Sequence, residues 1–461
     1  MVVVGASISG LVTALALDRR GIDVMLVDAD PDLDAEGPRR ATPQAGHSHA
    51  FLARCRQLLQ AEAPDVLDDL LAVGGHEIRL ADQRPATVPA HAAHPDEADL
   101  VVLAARRTTF EAALRRGVER RPGIGFSGGR RATGLVVDGG HVRGVGFEDG
   151  SVETARRLVV DASGRRTPMP AWLAEHGIDV SATEESEECG IAYLSRFYRR
   201  PPGAPELPLD RGFAAGGSFD RYSCLVFPGD GTTFSITFGV LPEDRPLLRL
   251  LRDGDAFDAA VRSIPSLAPW LDAEPISEVR VMAGLHNRIR RARVPGWSAV
   301  GDAAATTNPA HSRGCTLAAV HAVAVADAVA AHDDPDDLAE ACAAVLEREQ
   351  APWVADSIEQ DRQRLARWRP GSHDFEGKPP HMGRLPSKTW LSNGETFAAA
   401  RHDAYVWRRF NRLQQLIEKP ADVLADPRVV ARVRAVQASG AQSPPLDGPS
   451  HAELVDLMAP A

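Results

Sequence analysis

The sequence predicts an α/β fold: a discontinuous parallel-sheet domain, a second domain built on an antiparallel sheet, and a helical C-terminal region. Three observations predict it. A short apolar strand, Met1 to Val4, runs directly into Gly5-x-Ser7-x-x-Gly10 and a helix-forming stretch. Several alternating apolar and polar segments between about residues 192 and 280 read as a sheet with one buried face. A strand at Trp297 to Val300 then feeds Gly301-Asp302, which returns the chain to the first domain.

Each N-terminal element has its reason. Gly5 permits the tight turn after the strand, and Gly10 lets the following helix approach the sheet, so a diphosphate has room over the helix N-terminus. Ser7 stands where the strict pattern has glycine; it crowds the backbone approach, but its hydroxyl is a phosphate donor. Residues 11–20 favour a helix, Gly21 ends it, and Val24 to Val27 form the second strand. Asp28 closes that strand 23 residues after Gly5, where a carboxylate accepts hydrogen bonds from a ribose. This is a Rossmann-like dinucleotide site; the plainer alternative is a glycine turn followed by a surface aspartate.

From Asp30 to His49 the chain is rich in Pro, Gly, Arg and His, the composition of an ordered loop over a cofactor, and Arg40 is its candidate cofactor contact. Helical segments are predicted at about 50–60 and 61–80, a strand at 100–104, and a helix from Phe110 to Arg121 capped by the Thr108-Thr109 pair, a start suited to an anion. Hairpins follow around Gly139-Gly140 and Asp149-Gly150. Helix Thr316 to Ala331 closes the return to the first domain. The expected boundaries are 1–65, 99–185 and 281–345 for the cofactor domain, 66–98 as an insertion of the substrate domain, 186–280 for the substrate sheet and 346–461 for the helical tail. In the tail, 338–368 and 396–418 read as helices, and the last 25 or so residues as partly mobile.

Composition sets further bounds. At 44% hydrophobic and 25% charged residues the chain is globular, and no run reads as the ~18 apolar residues of a membrane span. With a core strand at its start, no export signal is expected, and five scattered cysteines fit reduced thiols better than a disulfide scaffold or zinc cluster. The setting expected is cytoplasmic. A formal net charge of −11 disfavours nucleic acid as a partner. No metal site is expected, and a homodimer is an open option.

The order of three separated blocks resembles the FAD-dependent monooxygenases of the aromatic-hydroxylase-like class. Gly5-x-Ser7-x-x-Gly10 through Asp28 resembles their adenosine-binding block, Asp161-x-x-Gly164-Arg165 their middle block, and Gly301-Asp302 through Gly314 their flavin-closing block. The Pro43-Gln44-x-x-His47-x-His49 segment resembles a subgroup containing epoxidases of bacterial polyether biosynthesis, and so implies antibiotic-type biosynthesis. The resemblance implies FAD, with Asp28 at the ribose, Arg107 at the diphosphate and Arg106 as the alternative register. It also implies Asp161 and Asp302 near the cofactor, and Pro309 and Gly314 beside the flavin ring. The middle block lacks the adjacent Asp-Gly usual in single-component hydroxylases, which leaves two electron sources: NADPH or NADH acting directly, or a partner flavin reductase. Ala310-His311-Ser312-Arg313 is bulkier than a glycine-rich closing block; His311 and Arg313 either tune the pocket, stabilise the loop or face solvent.

The activity implied is insertion of one oxygen atom from O2 into an apolar biosynthetic intermediate, by epoxidation or hydroxylation through a flavin C4a-peroxide. The alternatives are an FAD-dependent reductase or dehydrogenase without oxygen insertion, and a non-catalytic flavin-binding protein. A halogenase lacks support, since the Trp-x-Trp-x-Ile-Pro block is missing. Candidate catalytic residues are His47 and His49, whose alternation aims both imidazoles to one side of an extended loop, and Tyr193 and Arg196, with Tyr198, near the start of the second sheet. Each also has a structural reading. Cys315 beside the flavin block is more ordinary as a small packed side chain than as a reactive thiol.

Overall fold

The computed structural model describes residues 1–31, 42–91, 93–369, 390–442 and 446–458. Arg40 lies outside them. Five strands, β1 (Val2–Val4), β2 (Val24–Val27), β3 (Ile124–Ser127), β4 (Val159–Asp161) and β5 (Trp297–Ala299), form an all-parallel sheet in the order β5-β4-β1-β2-β3. Three separate stretches of chain therefore build one sheet. Val3 pairs with Leu26 on one side and Val160 on the other, which puts the ends of β1, β2 and β4 at one edge.

Helices α1 (Ile8–Arg19), α2 (Arg107–Glu119) and α3 (Gly314–Ala331) pack together beside this sheet. Every α1 residue from Ile8 to Leu17 is buried, the property of a helix covered on all sides. Gly10 is what lets it sit so close: a Cβ there would lie 1.7 Å from the Gly5 carbonyl oxygen. Helix α3 is 18 residues long and apolar enough to cross a membrane, which corrects the expectation that no run reaches that length. It is instead a core helix, with Ala322, Val325, Ala326 and Val329 in the same cluster as α1.

The second domain is the expected antiparallel sheet. Its strands run Ala215–Ser218, Tyr222–Pro228, Thr233–Val240 and Ala192–Arg199 in that spatial order, with Glu274–Pro275 and Arg280–Met282 pairing along the last. One face carries Phe234, Phe238, Tyr198 and Tyr222 into a large core, and the other presents Ser195, Ser235 and Thr237 toward the first domain. The C-terminal helices share that large core through Val406, Trp407, Val429 and Leu454.

Several boundaries move. The 61–80 segment divides into helix Pro64–Ala72 and strand His76–Arg79, the helix joining the parallel-sheet core and the strand the other. The tail holds more helices than expected, and its last one, His451–Met458, is docked: the Tyr222 hydroxyl donates to the Pro449 carbonyl at 2.8 Å, and His451 meets Asp244. Helix α2 begins at Arg107, so Thr108 and Thr109 are not its cap. The capping carboxylate is Asp230, 124 residues away, which accepts from the Arg106 amide at 2.8 Å and the Thr109 hydroxyl at 2.9 Å. The anion suited to that helix start is thus supplied by the protein.

Candidate functional site

A cavity of about 570 Å³ opens where the three cofactor-domain segments converge, walled by the Gly5–Ser9 turn, the Thr42–Ala50 loop, the Ala162–Thr167 loop and the peptide leading into α3. Helices α1 and α3 both point their N-termini into it, and neither has a side-chain cap. Their free first-turn amides and positive dipole ends converge on one space. Gly5 adopts φ +108, and a Cβ there would meet the Ala162 carbonyl oxygen at 2.6 Å, so the turn closes against the middle block. Gly164, Gly284 and Gly314 differ: all three line the cavity, yet a Cβ on any of them meets nothing within 4 Å. The space they border is open to a ligand.

Side chains then set the field. Arg107 is buried; its Nε donates to Glu111 Oε1 at 2.8 Å and its Nη2 to Ser7 Oγ at 2.9 Å, while Ser7 donates to the same Glu111 oxygen at 2.8 Å. Ser7 is therefore held within a buried network that fixes the guanidinium at the cavity wall. Arg106 turns away to form an ion pair with Asp230 at 2.7 Å, so of these two neighbours it is Arg107 that faces the cavity, with Arg165, Arg166, Arg288 and Arg290 also in its lining. Asp28 lines the cavity, accepting from the Ala6 amide with one oxygen and from the Asp30 amide at 2.8 Å with the other. It shapes the glycine turn as well as facing the ligand space. Asp302 also lines the cavity; burial pushes its pKa up, with Arg107 and Arg165 opposing, and no hydrogen bond from the described residues engages it. Asp161 does not line it. Its carboxylate accepts from the Ser163 hydroxyl and the Thr167 hydroxyl, each at 2.6 Å, and so holds the shape of the middle loop from within.

His47 and His49 both border the cavity, but their chemistry differs from that of a neutral-pH acid. His47 Nδ1 lies 2.9 Å from Ser195 Oγ, and burial, with Arg280 and Arg165 nearby, lowers its pKa to about 4. His49 Nδ1 donates to the His47 carbonyl at 2.9 Å, which leaves Nε2 as an acceptor 3.5 Å from Arg107 Nη1; burial and Arg107 lower its pKa to about 3. Both imidazoles are neutral near pH 7, which corrects the general-acid option. Between them Ser48 reaches Ser235 at 2.7 Å and Thr237 at 2.5 Å, so the loop is pinned to the polar face of the sheet.

Tyr193 and Arg196 are corrected as well. They are an odd number of residues apart on one strand and so point to opposite faces. The Tyr193 hydroxyl donates to Asn308 Oδ1 at 2.6 Å, bracing from behind the peptide that leads to Gly314. Arg196 donates to the Gly254 carbonyl at 2.9 Å and pairs with Asp258 at 3.1 Å; neither residue lines the cavity. Tyr198 donates to Asp258 at 2.5 Å on the same far face.

The closing peptide is the best-supported part of the site. Asn308 is fully buried, accepts from the Ala310 amide at 3.0 Å and donates to Asp361; its own amide donates to Asn287 Oδ1 at 2.9 Å. Arg313, also fully buried, pairs with Asp356 and lies 4.9 Å over the Trp353 ring, so of its sequence readings the structure shows the loop-stabilising one. Asp356 and Asp361 both belong to helix α4 (Ala351–Trp368). Sequence reading missed them, since nothing local marks two tail aspartates as partners of a loop some fifty residues earlier. Glu111 was legible in principle, four residues after Arg107 on one helix. Between these supports Pro309 borders the cavity, and Ser312 adopts the left-handed φ of 54 that glycine favours. Cys315 follows, its thiol pushed up to about 11 by burial, so it is protonated at neutral pH.

A second cavity, about 480 Å³, lies between the antiparallel sheet, helix α4 and the C-terminal helices. Ser312 lines both cavities, while Pro309 faces the first and Ala310 the second. One short peptide is a wall of each.

Residues 3–59 match the model of the NAD(P)-binding Rossmann-like domain. The fold superposes on the crystal structure of PqsL, a probable FAD-dependent monooxygenase from Pseudomonas aeruginosa, with a TM-score of 0.59 and 18% identity, covering 81% of this chain and 99% of that one. Kynurenine 3-monooxygenase of Xanthomonas campestris pv. campestris is 26% identical over 359 residues, 75% of this chain and 74% of the relative. Protein Rv3254 of Mycobacterium tuberculosis is 30% identical over 357 residues, 70% of this chain and 71% of the relative. The chain belongs to the same family as Protein Rv3254, and it resembles the FAD-dependent monooxygenases in fold and sequence. The first cavity suits FAD on this protein's own features: two helix N-termini without a side-chain cap and several arginines for a diphosphate, an Asp302 with no hydrogen bond from the described residues, and an open edge at Gly314 where a side chain would intrude.

Proposed function

We propose that the protein is an FAD-dependent monooxygenase that inserts one oxygen atom from O2 into a small biosynthetic intermediate, by hydroxylation or epoxidation, in the second cavity. The observation that carries this reading is the shared wall: the peptide from Pro309 to Gly314 borders the cofactor space on one side and a separate, substrate-sized space on the other. Gly5, Ser7 and Asp28 would hold the adenosine and diphosphate portion together with Arg107 and the α1 N-terminus, while Gly10, which does not line the cavity, sets the close turn beneath them. Asp302, Pro309 and Gly314 would meet the remainder. When bound and reduced, FAD supplies the electrons that activate O2.

The chain's own residues supply position and enclosure. Asn308, Tyr193 and Asp361 fix the dividing peptide, and the loop pinned at Ser48 closes one side of the cofactor space. Neutral His47 and His49 orient that loop and leave an acceptor at His49 Nε2 beside Arg107, without delivering a proton. Among the described residues lining the second cavity Asp210 is the one carboxylate, so the reading relies on placement of substrate and not on a strong base. NADPH or NADH is the proposed electron source, directly or through a reductase. A cytoplasmic setting accords with five free cysteines.

The test is isotopic. FAD-loaded protein, reduced anaerobically and then exposed to labelled O2 with a panel of aromatic compounds, is expected to give a product carrying one labelled oxygen atom. Products changed in hydrogen content alone would replace this reading with that of a reductase or dehydrogenase.

A further inference from the structure

The second cavity has an unusual lining for a wholly apolar guest. Phe213, Phe227, Phe397, Trp407 and Phe410 all face it, in a chain only 5% aromatic, so a flat ring system has surfaces to stack on. Among the described residues its charged lining is Arg211, Arg367 and Arg401 against the one carboxylate Asp210. That local positive excess stands within a chain of net charge −11 and so does not follow from composition.

Two of these cations, Arg211 and Arg367, form no ion pair with the described residues, although Asp210 lies near Arg211. Arg211 is fixed in place: its Nε donates to the Gly216 carbonyl at 2.8 Å, and its guanidinium lies 4.8 Å over the Phe397 ring. Its two terminal nitrogens have no hydrogen bond from the described residues, and burial, opposed by Asp210 and reinforced by Arg401, depresses its pKa. Arg367 shares one face of α4 with Gln360 and Gln363, which also line the cavity; it is more exposed than half-buried Arg211 and has neither hydrogen bond nor ion pair among the described residues. Arginine does not neutralise itself by losing a proton, so a partly desolvated guanidinium without a partner favours an incoming anion. Its planar fork matches a carboxylate in two parallel bonds.

We propose that the second cavity takes a substrate joining a flat conjugated ring to a carboxylate, the carboxylate paired with Arg211 and drawn by Arg367, the ring set against Phe397 and Trp407. The proposal rests on the reading of this cavity as the substrate's, and it replaces the expectation of an apolar intermediate with an acidic aromatic one.

Calorimetric titration of the FAD-loaded protein with naphthoate and with naphthamide, its uncharged counterpart of the same ring, tests it. Naphthoate is expected to bind at least about tenfold more tightly. Arg211→Gln should abolish that preference and Arg367→Gln reduce it, with naphthamide affinity and flavin content unchanged in both. Arg367 makes no bond within the described residues, so its variant carries the test should Arg211→Gln fail to fold. Equal affinity for the two probes, binding of neither, or variants that weaken both alike would overturn the proposal. Oxygen labelling keeps the two readings apart. A protein that selects naphthoate but labels no product retains the carboxylate site and loses the monooxygenase reading, whereas labelling of neutral compounds with no naphthoate preference does the reverse.

Discussion

The two cavities are walled in opposite ways. The first cavity is framed by main chain, a glycine turn, two helix ends without side-chain caps, the middle loop and the closing peptide, with arginines and histidines added to that frame. The second cavity is made of side chains, five aromatic rings, several amides and three arginines brought from the sheet, from α4 and from the C-terminal helices. On the proposed assignment of the two spaces, the comparison teaches that a cofactor site is encoded in local backbone requirements, while a substrate site is encoded in residues that meet only after folding.

The largest effect should come from the backbone-built cavity. Gly10→Val places a side chain where even a Cβ would lie 1.7 Å from the Gly5 carbonyl oxygen. A loss of more than about 4 kcal/mol in denaturant unfolding is expected, with loss of flavin, because main chain cannot yield as a side chain does. A folded, flavin-bearing variant of ordinary stability would break the claim that this turn is sterically closed.

Next in size is the brace under the dividing peptide. Asp356→Ala leaves buried Arg313 without its carboxylate, and Asp356 also accepts from Asn393 at 2.7 Å on the C-terminal side. Destabilisation of about 3–5 kcal/mol is expected by urea titration. A change below about 1 kcal/mol would show that the peptide is held without α4.

His47 gives a smaller, pH-dependent effect. Its folded pKa is lowered to about 4, so between pH 6.5 and 4 the unfolded chain binds a proton that the folded chain does not. Stability should therefore fall as pH drops through that window, by roughly 3 kcal/mol in total. His47→Gln should flatten this part of the curve, and an unchanged slope would place the titration elsewhere.

The smallest effect on the fold is the most discriminating. At Gly314 a Cβ meets no protein atom, so Gly314→Ala should leave the melting temperature of the flavin-free protein unchanged. Its FAD affinity should fall about tenfold, ~1.4 kcal/mol, by fluorescence titration. Equal loss of stability and affinity would mean that this glycine serves the fold and not a ligand.

These contrasts also explain what the sequence could disclose. The turn from Gly5 to Gly10, Asp28 and Asp302 were legible because their spacing reflects backbone geometry within one short segment or at a strand end. The cap on α2 was not: Thr108-Thr109 looked sufficient locally, while Asp230 performs that task from the other sheet. Tyr193 and Arg196 were grouped by proximity in sequence, and strand parity separates them. The brace from Asp356 and Asp361, and the meeting of Arg211 with Phe397, depend on docking of distant helices that no spacing rule encodes.

The most direct measurement is the absorption spectrum of the purified protein, with the released cofactor identified by mass, before and after anaerobic addition of NADPH. The account predicts bands near roughly 375 and 450 nm, release of FAD, and bleaching by NADPH alone or together with a flavin reductase. A colourless protein that also fails to take up added FAD would contradict it.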